Sequence, residues 1–218
     1  MGQIQTSTHP NLLGLIKFLI FFGRPPKPSQ YFSDRHSTAC LIKGRTDETG
    51  EVLNMSEILR DISIINTIAN EEPGARPLFD RLGGRPTLDR AHRIFYDKLF
   101  ADPWLKQFFA GIDQKIIESQ QSDFFSRLTG GPSVFSGRMP IDAHQHMFIT
   151  EELFDHRHAL LRASLEEAQI PDKERTQWLN IDLAFKKVLI KSSVDDCKKR
   201  YNTDEILNFS WPNARKAS

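Results

Sequence analysis

From Pro77 onward the apolar residues of this 218-residue chain recur every three or four positions, and Gly and Pro cut the runs apart. A 3.6-residue period puts such residues on one face of a helix, whereas a strand needs a period of two. The breaks are Gly83-Gly84-Arg85-Pro86, Asp102-Pro103, Gly130-Gly131-Pro132 and Ile170-Pro171. Pro suits the first turn of a helix, where its missing N–H has no partner to lose, and Gly suits the exit. The pattern predicts an all-α unit. Leu88, Ala91, Phe95 and Leu99 mark a helix ending near Asp102. Asp113 caps a second helix, from Gln114 to about Thr129. Thr150, followed by Glu151 and Glu152, opens a third that runs to about Gln169. Trp178, Ile181, Phe185, Val188 and Leu189 share one face of a last long helix, and the polar tail after Ser192 is expected to fray.

Residues 1–76 read differently. Arg24-Pro25-Pro26-Lys27-Pro28-Ser29 is an extended linker, the apolar patches at 40–42 and 52–53 predict a short hairpin, and Ser56 to Ala69 carries a helical stripe. The longest apolar run, Leu12 to Phe22, is interrupted by Gly14 and Lys17. It is shorter than the ~20 residues of a membrane-spanning helix. No basic segment precedes it as in a signal peptide, so a cytoplasmic chain is expected. The organisation reads as an extension (1–76), a helical domain (77–191) and a polar C-terminal tail (192–218). Lys and Arg number 29 against 28 Asp and Glu, a balance without the basic footprint of a nucleic-acid binder. Cys40 and Cys197 stand far apart, which excludes a disulfide framework and a cysteine zinc site.

Three polar features interrupt the apolar stripes. Gln121 shares a helix face with Ile117, Phe124 and Leu128. A buried amide needs a partner or a ligand; a register shift of one position would instead leave it half exposed. Tyr96 follows Ile94 and Phe95, so its hydroxyl heads for the interior, where a backbone acceptor or a ligand must meet it. Four of the seven His fall at 144, 146, 156 and 158. Two extended His pairs could hold a non-haem metal, and one His facing a Phe-lined pocket would suit a haem iron, while His156 and His158 read as solvated.

These segments resemble the truncated haemoglobin family, group I-like in character: short globins built as a two-over-two helical sandwich. The matching residues are Leu78-Phe79-Asp80-Arg81-Leu82-Gly83-Gly84, Phe95-Tyr96-Asp97-Lys98-Leu99-Phe100-Ala101-Asp102-Pro103, Phe108-Phe109-Ala110-Gly111, Gly130-Gly131-Pro132, and His144 followed by Ile149-Thr150. They keep family order over roughly residues 77–190. The resemblance implies haem b, with His144 as the iron ligand and His146 out of register. It implies a distal pocket of Tyr96, Gln121, Ile117 and Phe109, in which Tyr96 and Gln121 donate hydrogen bonds to bound O2 and act as the catalytic pair. Phe108, Phe124, Phe125, Phe135, Phe148, Phe154 and Arg157 would line the haem pocket. Ten of the 16 Phe lie between Arg76 and Asp155, as the walls of a haem crevice require.

Arg157 stands where other groups of the family carry Trp. It either snorkels to the surface, pairs with a haem propionate, or sets a cation near the distal ligand. The function implied is binding of O2, NO or CO, with O2 storage, NO dioxygenation or peroxidase-like activity as extensions. No nucleotide-binding fingerprint is present, so turnover would call on a separate reductase. The alternative is a haem-based gas or redox sensor acting through the extension, whose apolar patch could also pair two copies as a homodimer. A non-haem His metal protein fits the motif order less well.

Overall fold

The computed structural model describes residues 76–212, so the linker, hairpin and helix expected before Ala75 lie outside the described residues. Seven helices follow: α1 Leu78–Arg81, α2 Arg85–Ala101, α3 Gln114–Leu128, α4 Pro140–His144, α5 Glu151–Glu167, α6 Asp172–Ala184 and α7 Lys186–Leu189. Two 3-10 turns, Leu105–Phe109 and Val194–Asp196, complete the described elements. No strand forms among the described residues, only an isolated parallel bridge between Met147 and Leu207. Helix α2 packs on α3 and on α5, and α5 packs on α6, giving two antiparallel pairs stacked as a sandwich. Leu88, Phe95 and Leu99 of α2, Leu165 of α5 and Ile181 of α6 are fully buried between them.

The helix starts follow from their caps. Asp113 Oδ1 accepts from the Ile116 N–H at 3.2 Å, and Thr150 Oγ1 accepts from the Leu153 N–H at 3.2 Å. Asp102 ends α2 and turns the chain, its Oδ1 accepting from the N–H groups of Trp104 (2.9 Å) and Leu105 (2.8 Å). After α3 the chain reverses at Gly130, whose φ of +86° lies in the left-handed region. A Cβ there would also stand 2.8 Å from the Pro77 ring. The Phe79 N–H donates to Thr129 O at 3.0 Å, pinning α1 to this corner.

Two expectations change. The last helix is not continuous: the Phe185 N–H bonds back three residues to Asp182 O at 3.1 Å, a tighter turn that separates α6 from α7. Phe185 and Leu189 both face the interior across the break. The tail does not fray within the described residues. Lys198 N–H donates to Gln145 O (2.8 Å), Leu207 N–H to His146 O (2.9 Å) and Phe148 N–H to Leu207 O (2.8 Å). Leu207, Phe209 and Trp211 alternate along it, so they share one side of an extended chain. Phe209 lies 5.0 Å from the Phe108 ring and Trp211 5.0 Å from Trp104, centre to centre. The Trp104 Nε1–H donates to Phe209 O at 2.6 Å. A polar average hid this period-two apolar row.

Candidate functional site

The sandwich encloses a cleft with about 1390 Å³ of space free of protein atoms, its open mouth included. One wall comes from α2 and α3, the other from α4, α5, α6 and the segment after α4. Eleven of the twelve residues expected at the site converge on it: His144, Tyr96, Gln121, Ile117, Phe109, Phe108, Phe124, Phe125, Phe135, Phe154 and Arg157.

His144 closes α4. A backbone carbonyl only accepts, so the 2.7 Å contact between Nδ1 and Pro140 O fixes the proton on Nδ1. That leaves the Nε2 lone pair without a hydrogen bond among the described residues, on the ring's cleft side. Burial pushes the His144 pKa down to about 4, against the opposing pull of the Pro140 carbonyl, so the ring is neutral near pH 7. A neutral imidazole, oriented through its other nitrogen, is what a metal requires of an axial ligand.

Opposite it, α2 and α3 supply polar atoms with nothing to bond. Tyr96 is 5 % exposed and meets Phe109 edge-on, ring centres 6.0 Å apart. Its hydroxyl makes no hydrogen bond among the described residues, and burial raises its pKa, so it stays a donor. Gln121 is half-buried rather than fully buried, because the side of α3 that carries it faces the open cleft and not a packed helix. Its amide is likewise without a partner among the described residues. Ile117 lies one turn earlier and is buried. Two donors aimed into an apolar cleft across from one free imidazole nitrogen fit haem and its ligand. The observation is one of unmet polar atoms, and it does not depend on the resemblance.

Three expectations need correction. Phe148 does not line the cleft. The chain is extended after α4, so Met147 and Ile149 point into the cleft and Phe148 to the other side, where it meets Trp104, Phe209 and Trp211. Arg157 lines the cleft but is not an unpaired cation. Its Nη1 donates to Asp182 Oδ1 at 2.6 Å, and its guanidinium lies 5.0 Å from the Phe95 ring centre. His156 and His158 are not solvated. His156 Nε2 meets Asp102 Oδ2 at 2.7 Å, and His158, 8 % exposed, donates from Nδ1 to Asp182 Oδ2 at 2.8 Å. Burial works to raise the Asp182 pKa, but Arg157 and the His158 hydrogen bond outweigh it and hold the carboxyl ionised. The four clustered His thus point to four places, and among the described residues no group of three or more His, Cys, Asp or Glu gathers.

The sequence reading missed several cleft residues. His92 lies one turn before Tyr96 on α2, is 1 % exposed, and bonds through Nδ1 to Ser122 Oγ at 2.9 Å. Its helical spacing from Leu88 and Tyr96 was the available signal. Gln120 turns its Oε1 inward, buried and unpartnered. Arg138 lines the cleft with its Nε unpartnered, while its guanidinium stacks over Tyr201 at 4.9 Å. No spacing rule reaches a loop residue paired 63 positions away.

The bacterial-like globin family model matches residues 77–189. A group 1 truncated hemoglobin of Tetrahymena thermophila is 32% identical over 96 residues, covering 44% of this chain and 79% of that protein. Its counterpart in Tetrahymena pyriformis is 34% identical over 95 residues, covering 44% and 78%. Among solved structures, a Tyr-to-Phe mutant of the truncated hemoglobin of Tetrahymena pyriformis in the Fe(III) form superposes with a TM-score of 0.50 at 28% identity, over 53% of this chain and 98% of that one.

Proposed function

Because the chain belongs to the bacterial-like globin family, together with the group 1 truncated hemoglobins, it binds haem iron and through it diatomic ligands, and we propose that His144 holds the iron while Tyr96 and Gln121 retain the ligand. Haem, when bound, supplies an iron that coordinates O2, NO or CO. The observation that carries the reading is a pair of donors without protein partners among the described residues, on the buried Tyr96 and the half-buried Gln121, in one apolar cleft with the free Nε2 of His144.

The roles follow from each group's chemistry. His144 presents an uncharged nitrogen because burial disfavours its cation. The Tyr96 hydroxyl and the Gln121 amide N–H donate to whatever negative charge the bound diatomic carries. Phe108, Phe124, Phe125, Phe135 and Phe154 exclude water, which lowers the local dielectric and strengthens both hydrogen bonds.

A pocket that retains O2 suits oxidation of NO. One NO, one O2 and one electron give one nitrate, so each turnover consumes a reducing equivalent, for which a separate reductase is needed. The test is to mix the oxygenated protein with several equivalents of NO in oxygenated buffer without reductant. One nitrate per haem, followed by arrest until reductant is added, is the expected outcome. Loss of O2 without nitrate would leave an oxygen-binding protein only.

A further inference from the structure

We propose that Lys191 and the C-terminal strap, residues 198–211, are positioning elements for the iron-binding histidine. This rests on His144 being that ligand. Helix α4 has only five residues, fewer than a helix needs to sustain itself, and its last carbonyls have no intrahelical donor. At its C-terminal end and just beyond it donors come from later in the chain, although His144 O also accepts from the Met147 N–H at 3.0 Å. Lys191, 6 % exposed, donates from Nζ to His144 O at 3.1 Å and to Met147 O at 2.7 Å. Its own N–H donates to Ile149 O at 2.9 Å. Gln145 O accepts from Lys198 N–H (2.8 Å), His146 O from Leu207 N–H (2.9 Å), and Leu207 O from Phe148 N–H (2.8 Å). The four carbonyls from His144 to Met147 therefore all have donors from beyond residue 190.

Both ends of the imidazole's support are then fixed. Pro140 O sets the ring through Nδ1, and the strap sets the backbone that carries it. Trp211 and Phe209 lock the strap in turn, against Trp104, His156 and Phe108. The family match stops at residue 189, before Lys191 and the strap begin.

Groups that orient a metal ligand from behind are typically worth about 10- to 100-fold in metal affinity. The full-length, haem-loaded protein is compared with Lys191→Met, which keeps the apolar stem and removes the ammonium, and with Trp211→Ala, which loosens the strap without touching α4. Haem transfer to excess apomyoglobin should be about tenfold or more faster in both. The iron–imidazole stretching band of the reduced, ligand-free protein, read by resonance Raman, should shift or broaden. Leu82→Ala, in the core away from α4, serves as a control for general destabilisation and should leave that band in place. Both variants retaining the unaltered band and haem-release rate would overturn the proposal, and so would an equal shift in the Leu82→Ala control. If Lys191→Met fails to fold, Trp211→Ala carries the test alone. Absence of any iron–imidazole band in the unaltered protein would instead refute His144 as the ligand.

Discussion

Replacing Tyr96 by Phe should change one property and spare another. The hydroxyl is buried, donates to no protein atom among the described residues, and faces the cleft. The hydroxyl opens onto the cleft, so deleting it from the haem-free, ligand-free protein costs no protein hydrogen bond. Stability should stay level to within about 1 kcal/mol, a few degrees of Tm for a domain of this size. With a diatomic bound, the same deletion removes a hydrogen bond worth about 1–3 kcal/mol, which means O2 release faster by roughly 5- to 150-fold. Burial holds the hydroxyl's pKa above its ordinary value, so the difference should be flat across neutral and mildly alkaline pH. Stopped-flow displacement of O2 by CO gives the release rate, and thermal unfolding of the haem-free protein gives the stability. A variant destabilised by more than about 1 kcal/mol with O2 release unchanged would show that the hydroxyl serves the fold, and the reasoning would fail.

The buried polar network makes further predictions. Asp182→Asn strips Arg157 and His158 of their shared acceptor and should cost about 2–4 kcal/mol in urea unfolding near pH 7, reduced from the fully buried range because Arg157 is partly exposed. The Asp182 pKa is depressed, so its contribution is present above the ordinary carboxylate pKa of about 4 and fades as pH falls through the lower folded value. The gap between Asp182→Asn and the unaltered protein should narrow there, and a gap independent of pH would contradict the ion pair. His92 is pushed by burial to a pKa of about 3 from 6.5, so below pH 6.5 the unfolded chain takes up a proton that the folded one refuses. Stability present at pH 7 is therefore lost as pH falls, by up to about 4 kcal/mol from this group, and His92→Leu should show a shallower acid slope. An unchanged slope would mean that the ring is charged or solvated in the fold. Phe154→Ala should weaken haem retention while Val134→Ala does not, since Phe154 lines the cleft and Val134 is exposed outside it.

The helical stretches were legible because their apolar period is strong and Gly and Pro punctuate it at the observed ends. Gln121 and Tyr96 stood out for a physical reason: a polar group on a buried stripe is anomalous until something meets it. What the sequence hid were contacts between distant segments. Arg157 looked like a stray cation because its acceptor, Asp182, lies 25 residues on in another helix. His156 looked solvated because Asp102 lies 54 residues away. Phe148 was assigned to the cleft by the family resemblance, but the chain past α4 alternates sides, so its neighbours at 147 and 149 take that place. The strap was invisible to composition, since three apolar residues at alternate positions barely shift the average of a polar segment.

The most direct measurement is the absorption spectrum of the haem-loaded His144→Gly variant, taken with and without free imidazole. If His144 is the axial ligand, the variant loses the Soret band of the unaltered protein, regains it when imidazole fills the vacated position, and His146→Gly shows neither effect. An unchanged Soret band in His144→Gly, or its loss in His146→Gly instead, would contradict the assignment on which the whole site rests.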